Sequence, residues 1–145
     1  MKIKFKKLKS EAVIPSRATA GSAGLDLCAC IDSPVVIEAE SIAVIPTGLA
    51  AEPDRTDIAL LIYPRSGLSS KYGISLANCV GVVDSDYRGE ICIPLINHSK
   101  SSFTVEKGMR IAQLVAAPVI IPEIETADEL SDTSRGEGGF GSTGL

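Results

Sequence analysis

The segment CVGVVDSDYRGEICIPLIN, residues 79–97, decides the fold class more clearly than any other part of the chain. It contains two short runs rich in Val and Ile, 79–83 and 90–97, on either side of a polar stretch of Asp, Ser, Arg and Gly. Runs of β-branched residues bounded by turn residues are typical of strands, and two of them around a polar turn predict a β-hairpin.

Similar short apolar runs recur along the rest of the chain, separated by Gly, Pro, Asn and Asp. They predict further strands at 2–8, 25–30, 34–39, 41–46, 57–63, 102–105, 110–117 and 119–124. Helical periodicity is scarce, and only residues 66–72 suit one or two helical turns, with Ser66 as N-cap and Gly73 as the stop. Many short strands with little helix predict an all-β sandwich, barrel or jelly roll.

The composition predicts one folded unit followed by a tail. A chain of 145 residues fits a single domain, and its 45% hydrophobic content with only 4% aromatics implies a core of Val, Ile, Leu and Ala. The end of the chain, TADELSDTSRGEGGFGSTGL, is polar and Gly-rich and offers almost nothing to a core. We therefore expect a β domain over residues 1–125 and a flexible tail over residues 126–145.

Several classes of protein are disfavoured by the same data. A net charge of −4 argues against general nucleic-acid binding, and the chain lacks the run of about 18 apolar residues that a membrane span needs. The basic start, MKIKFKKLKS, has no apolar stretch of the signal-peptide kind. The four cysteines form no C-x-x-C pair, which predicts buried free thiols rather than a zinc site and favours a cytoplasmic location.

The single histidine, His98, makes a Ser-His-Asp or Cys-His catalytic arrangement improbable. The Walker and Rossmann glycine patterns are also missing. Hydrolysis by this chain would therefore depend on a carboxylate base, a metal ion or both.

Two segments combine polar groups in a way that suits a nucleotide. The turn after Val83 presents Asp84 beside Tyr87 and exposed backbone amides, which could orient a water next to a planar base, although Asp, Ser and Gly are also ordinary turn residues. Arg65 and Ser66 precede the predicted helix, where backbone amides suit phosphate oxygens, although a capped surface helix has the same appearance.

Two apolar strands carry unexpected polar residues. Asp26 lies in the predicted strand 25–30 and needs a partner or a metal-bound water, although a backbone turn could also satisfy it. Arg110 and Gln113 are three positions apart in the strand 110–117, so a regular strand would point them to opposite faces. Only a bulge or a shared rim would bring this pair to one site.

The tail segment RGEGGFGSTG, residues 135–144, combines a cation, a mobile glycine backbone, an aromatic ring and hydroxyl groups. It could act as a flap in which Arg135 contacts phosphate and Phe140 stacks on a base, or it could be a disordered tail.

Five segments in this order resemble the dUTP diphosphatase family of the trimeric, all-β type. They are AGLDL (23–27), PRSGL (64–68), GVVDSDYRG (81–89), GMRIAQL (108–114) and RGEGGFGSTG (135–144), and together they span nearly the whole chain. One small departure is Ser69, which stands where many members have Ala.

The resemblance implies a distorted, jelly-roll-like β-clip barrel, a homotrimer with shared active sites, and Mg²⁺ as cofactor. The implied reaction is attack of water at the α-phosphate of dUTP, giving dUMP and pyrophosphate, which keeps uracil out of DNA and supplies dUMP for dTMP synthesis. Asp84 would be the general base and Asp26 would hold a water on the Mg²⁺ ion. The implied substrate-binding residues are Arg65, Ser66, Gly67 and Gln113 for the phosphates, Asn78 and Gly81 for uracil, Tyr87 for the deoxyribose, and Arg135, Phe140 and Gly141 from another subunit. Arg110 would support the phosphate-binding residues without contacting the phosphates itself.

Two other functions remain open on the sequence. A dCTP deaminase would share the fold and the trimer, but its turn would carry an essential Glu where this chain has Asp-Ser-Asp-Tyr-Arg. A nucleotide-sensing regulator would bind dUTP without turnover, and the presence of Asp84 and of the complete tail argues against it.

Overall fold

The computed structural model describes residues 1–139, and nearly all of its regular structure is β. Within these residues the strands are β1 (Ile3–Lys7), β2 (Leu25–Cys28), β3 (Val35–Ile37), β4 (Ile42–Pro46), β5 (Leu49–Pro53), β6 (Ile58–Pro64), β7 (Ile74–Leu76), β8 (Gly81–Val83), β9 (Cys92–Asn97), β10 (Phe103–Val105) and β11 (Arg110–Pro118). The helix α1 spans Ser66–Tyr72. The predicted all-β class with one short helix is thereby confirmed.

The strands form small antiparallel sheets around one core. The largest sheet has the order β2-β11-β6-β8, a second has the order β4-β9-β7, and β1 with β5 and β3 with β10 make two-stranded ribbons. The core consists almost entirely of aliphatic side chains, with Leu27, Ile45, Leu60, Ile93 and Leu114 fully buried. Because none of these side chains is aromatic, close packing of branched aliphatic groups stabilises the domain.

Two strands escaped the sequence analysis, and one predicted strand was wrong. β5 has the sequence LAAEP, in which the Ala pair is buried and gives no alternating pattern, and β7 has only three residues. Residues 119–124, predicted as a strand, form none, and the side chains of Ile120 and Ile124 are 92% and 90% exposed. Pro118 and Pro122 remove backbone donors there, and among residues 1–139 no strand pairs with this segment.

The predicted hairpin around the polar turn was also wrong. β8 pairs with β6, whereas β9 pairs with β4 and β7, so the two runs lie in different sheets. Residues 84–90, here called the tip loop, therefore connect two sheets instead of closing one ribbon. Hydrogen-bonding partners far away in the sequence outweighed the local turn signal.

Two smaller expectations need correction. Ser66 is the first helical residue and not the N-cap, a position that Arg65 occupies without a capping side-chain hydrogen bond, while Gly73 ends the helix in the left-handed region as expected. Cys28 and Cys30 are buried, but Cys79 and Cys92 are exposed, so the prediction of buried thiols holds for only two of the four. The part of the chain that the structure describes has no helix long and apolar enough to cross a membrane.

Candidate active site

Polar residues of two strands and of the start of α1 meet at an open cavity of about 360 Å³, here called the cationic cavity. It lies where β2, β11 and the end of β6 adjoin the start of α1. Its lining residues are Ala18, Ser22, Ala23, Gly24, Asp26, Arg65, Ser66, Gly67, Arg110 and Gln113. The structure thus brings together six residues that the sequence analysis singled out in three separate segments, namely Asp26, Arg65, Ser66, Gly67, Arg110 and Gln113.

Asp26 links the two arginines of this cavity. Its Oδ1 accepts a hydrogen bond from Arg65 Nε at 3.0 Å, and its Oδ2 accepts one from Arg110 Nη1 at 3.1 Å. The Asp26 side chain is 20% exposed, so a partner was needed there, and the two guanidinium groups supply it. One carboxylate against two arginines leaves a net positive charge at the cavity.

A bulge places Arg110 and Gln113 at the same cavity. The pairing of β11 with β2 shifts register between Arg110 and Ala112, which breaks the strict alternation of faces. Gln113 Nε2 then donates to the Pro64 carbonyl at 3.0 Å. Its Oε1 lies only 2.4 Å from the position that a Cβ on Gly24 would occupy, so Gly24 leaves room for this side chain. The sequence analysis required a bulge or a shared rim to bring Arg110 and Gln113 to one site, and the structure has the bulge.

The start of α1 forms one wall of the cationic cavity. The first N–H groups of the helix that bond within this turn are those of Leu68 and Ser69, which both donate to the Arg65 carbonyl. The N–H groups of Ser66 and Gly67 precede them and have no partner inside the helix. A Cβ built on Gly67 meets nothing within 4 Å, so this glycine borders open space.

The tip loop borders a second cavity of about 250 Å³, here called the tip cavity. Its lining residues are Val82, Val83, Asp84, Tyr87, Glu90, Ile91 and Cys92. Tyr87 N–H donates to the Asp84 carbonyl at 3.2 Å, which closes a turn and holds the carboxylate and the ring on one loop. Both side chains are exposed, so a ligand could reach them.

The segment before β8 is sharply folded. Cys79 has a φ of 62°, which is unusual for a residue with a side chain, and Val80 N–H donates to the Asn78 carbonyl at 2.6 Å. Asn78 is exposed, and a Cβ on Gly81 would lie 3.1 Å from the Ile62 Cβ. This left-handed conformation was not predicted, because Cys does not signal it as Gly or Asn would.

The two cavities lie toward opposite edges of the largest sheet. β2 carries Asp26 at one edge and β8 precedes Asp84 at the other, so three strand spacings of about 4.8 Å separate them by ~14 Å. Along the strands, Gln113 pairs with both Asp26 and Tyr63, while Val83 pairs with Leu60. That three-residue offset adds about 10 Å, so the Asp26 and Val83 backbones are roughly 17 Å apart.

Arg135, the predicted tail residue that the structure describes, lines neither cavity. Arg135 Nε donates to the Gly138 carbonyl at 2.7 Å, a contact within the tail itself. Phe140 and Gly141 lie outside the described residues.

The thiols near the cavities are poor nucleophiles. Burial raises the pKa of Cys28, and the Asp26 carboxylate raises it further. Cys92 is an exposed residue, but partial burial of its thiol raises the pKa of that group, with a smaller contribution from Glu90. Both thiols therefore stay protonated near neutral pH. Within residues 1–139, no group of three or more His, Cys, Asp or Glu residues could hold a metal ion by itself.

Sequence analysis missed three residues that hold the tip loop in place, namely Thr47, Gly48 and Glu90. Thr47 and Gly48 lie in the β4–β5 turn and bond to residues 90 and 91, more than forty positions away. No local sequence signal points to these three residues, because their contacts form only when distant parts of the chain meet.

Comparison with known proteins places this geometry in a family. A family model described as dUTPase matches residues 10–144. A deoxyuridine 5'-triphosphate nucleotidohydrolase of Desulfitobacterium hafniense is 49% identical over 145 residues, covering 100% of this chain and 96% of the relative. The corresponding protein of Acinetobacter baylyi is 49% identical over 144 residues, covering 99% of this chain and 96% of that one.

Solved structures agree with these relatives. The Staphylococcus bacteriophage 80alpha dUTPase, solved as a mutant with dUpNHpp, superposes with a TM-score of 0.89 at 30% identity and covers 99% of both chains. The phage phi11 dUTPase, whose structure describes a structural Mg(II) ion, superposes at 0.81, covering 91% of this chain and all of that one. At 24% identity, the second likeness supports the fold alone. By sequence along its whole length and by fold, the chain belongs to the dUTPase family.

Proposed function

We propose that this chain hydrolyses dUTP to dUMP and pyrophosphate. The observation that carries the proposal is the cationic cavity, where Arg65, Arg110, Gln113 and the start of α1 converge around a single carboxylate. A triphosphate is strongly anionic, and such a cavity matches it in charge and in hydrogen-bond donors. The relatives at 49% identity carry the name of this activity, and the 80alpha enzyme was solved with a dUTP analogue.

The phosphates are assigned to Arg65, Ser66, Gly67 and Gln113. The Arg65 side chain is 28% exposed and already oriented by Asp26, so little conformational entropy remains to be lost when it binds. The open space beside Gly67 allows a phosphate oxygen to approach the backbone N–H groups of residues 66 and 67. Arg110 is 56% exposed and also faces the cavity, so it contributes positive charge directly as well as through Asp26.

Asp26 is assigned the role of holding a water molecule that coordinates Mg²⁺. Each of its oxygens accepts one arginine hydrogen bond, and a carboxylate offers about four lone-pair positions, so room for a metal-bound water remains. Mg²⁺ typically uses one or two carboxylates together with substrate phosphates and waters, so a site with one carboxylate fits this ion once the nucleotide is bound. The bound ion would offset phosphate charge and so help the triphosphate to accept a nucleophile.

Asp84 is assigned the role of general base. No histidine lines either cavity. Asp84 is an exposed carboxylate on a loop that contains a hydrogen-bonded turn. It would take a proton from a water that attacks the α-phosphate, and pyrophosphate would leave. Tyr87 would pack under the deoxyribose and exclude a 2′-hydroxyl, while Asn78 and the backbone at Gly81 would bind uracil.

The separation of the two cavities supports a shared site in a homotrimer. A general base works within about 3 Å of the proton that it removes, directly or through one water. Asp26 lies at the edge of the sheet opposite Asp84. Arg65 lies five residues beyond Leu60, the partner of Val83, which is about 17 Å along β6, so one chain does not bring the base and these residues together around a nucleotide. We assign the base and the phosphate-binding residues of each site to different chains.

We assign to the tail the role of closing the active site of another subunit. Within residues 126–139 the structure has no strand or helix, which suits a segment that orders on a ligand. Arg135, Phe140 and Gly141 would then cover the nucleotide and exclude water. The folded unit of the chain would be residues 1–125.

The biological role that follows is to keep uracil out of DNA and to supply dUMP for dTMP synthesis. All four cysteines are free thiols, which suits a reducing, cytoplasmic location.

A nucleotide panel tests the proposal. dUTP, dTTP, dCTP and UTP are each incubated with the protein and Mg²⁺, and pyrophosphate release is measured. We expect rapid release from dUTP alone. Ammonia released from dCTP would instead identify a deaminase, and tight dUTP binding without pyrophosphate release would identify a regulator.

A further inference from the structure

Tyr87 lies on a loop that is held in place by residues outside the proposed substrate contacts. We infer that Glu90 is a positioning residue that sets the selectivity for deoxyribose by fixing the Tyr87 ring. This inference rests on the proposed hydrolysis of dUTP and extends it to the origin of the discrimination against UTP.

The Tyr87 hydroxyl group forms a hydrogen bond with the backbone of Glu90. Tyr87 Oη donates to the Glu90 backbone carbonyl at 3.1 Å, so the outer end of the ring depends on where residue 90 lies. The ring also lies across Gly89, since a Cβ on that residue would be 2.3 Å from Oη and 2.5 Å from Cζ. Tyr87 is 46% exposed, so these contacts, more than burial, determine the ring position.

The Glu90 side chain connects this loop to the core. Its Oε1 accepts a hydrogen bond from Gly48 N–H at 2.7 Å, a short, partly buried contact to a carboxylate. Gly48 has a φ of 68°, and a Cβ there would lie 2.7 Å from Cys30 Sγ and 2.9 Å from Ala12 Cβ. The β4–β5 turn is therefore packed too tightly against the core to follow a moving loop.

The next residue is held by the same turn. Thr47 is fully buried, and its Oγ1 donates to the Ile91 carbonyl at 2.6 Å, while Ile91 N–H donates to the Leu49 carbonyl at 2.8 Å. These two bonds hold Ile91 just before β9 and, through the planar peptide group that Ile91 N–H shares with the Glu90 carbonyl, help to orient that carbonyl. The Glu90 carboxylate holds the rest of residue 90 and so the preceding Gly89, across which the Tyr87 ring lies. The other side of the loop is held by Ser85 Oγ, which donates to the Thr56 carbonyl at 3.2 Å.

The test compares Glu90→Ala with Glu90→Gln, because glutamine keeps an oxygen that can accept from Gly48 N–H. The measured quantity is the ratio of kcat/KM for dUTP to kcat/KM for UTP, together with the melting temperature. We expect Glu90→Ala to lower the ratio on the order of tenfold, the scale of a lost steric contact, and Glu90→Gln to keep it within about twofold. Glu106→Ala, which removes an exposed carboxylate on another turn, should leave the ratio unchanged.

A double-mutant cycle separates positioning from general loss of stability. Tyr87→Phe removes the hydroxyl that bonds to Glu90 and alters an exposed residue, so it can be measured even if Glu90→Ala folds poorly. If Glu90 acts through Tyr87, the double variant should discriminate no worse than the poorer single variant.

Two results would overturn the inference while dUTP hydrolysis stands. In the first, Glu90→Ala lowers the melting temperature and kcat but leaves the dUTP/UTP ratio at the wild-type value. In the second, Tyr87→Phe leaves the ratio unchanged, so that the bond to residue 90 has no part in selectivity. A wild-type protein that fails to cleave dUTP would overturn the proposed function and this inference together.

Discussion

Mixing two inactive variants tests whether each site is built from two chains. One variant is Asp84→Asn, and the other combines Arg65→Met with Gln113→Ala. Asp84→Asn keeps the shape of the tip loop and removes the base, so turnover should fall by roughly 10²–10⁴-fold. The second variant loses two hydrogen bonds to anionic phosphate oxygens, one of them from a cation, on the order of 10²–10⁴-fold. Neither change touches the aliphatic core.

The expected recovery follows from the geometry. The Asp26 and Val83 backbones lie roughly 17 Å apart at opposite edges of one sheet, too far for one chain to place its own base beside its own phosphate-binding residues. Suppose that the base of a site comes from one chain and its phosphate-binding residues come from another. In an equal mixture that assembles at random, the base is then intact with probability one half, and so are the phosphate-binding residues. About one quarter of the sites are then complete, and activity should recover to about 25% of that of the refolded wild type.

The assay is pyrophosphate release from dUTP after the two proteins have been unfolded together and refolded. Each variant refolded alone, and wild type taken through the same procedure, are the controls, and native mass spectrometry confirms that mixed oligomers form. If both halves of a site belong to one chain, no mixed assembly contains a complete site. Activity that stays at the level of the single variants, with mixed oligomers present, would therefore refute the reasoning.

Three further outcomes are expected. Asp84→Asn should still bind a non-hydrolysable dUTP analogue within a few-fold of wild type by calorimetry, and a large loss of affinity would show that Asp84 serves binding instead of proton transfer. Gly67→Ala should raise the free energy of unfolding by up to about 1 kcal/mol, because alanine favours the helix and meets no neighbour. The same change should weaken dUTP binding, because the methyl group fills space left for phosphate. Unchanged dUTP affinity would show that the phosphates do not bind beside Gly67. Deleting residues 135–145 should leave the melting temperature and the number of chains in the oligomer unchanged while turnover collapses, because the hydrogen bonds of Arg135 and Gly136 in the described chain are local to the tail. A truncated protein that keeps its turnover would exclude the tail from catalysis.

The sequence by itself determined the fold class, the position of most strands and the end of α1. Its short branched-aliphatic runs, interrupted by turn residues, are compatible with little other than small antiparallel sheets. Gly73 ended the helix as predicted because a left-handed residue is needed there and glycine adopts that conformation at low cost. The motifs at Asp26 and Gln113 were also visible, since polar residues in apolar strands need partners. Arg65 was visible because a cation before a helix start suits an anion.

Which strands pair, and which polar residues meet, was decided only by the tertiary structure. The run 79–83 looks like half of a hairpin, yet β8 pairs with β6, because sheet hydrogen bonds form between segments remote in sequence and local turn preference is weaker than a buried ladder. The bulge at Arg110 likewise has no sequence signature, although it turns two residues from opposite faces toward one cavity. Glu90 resembled an ordinary turn residue until the fold placed Gly48 N–H at 2.7 Å from its carboxylate, since a contact between residues 42 positions apart exists only once the chain has closed on itself.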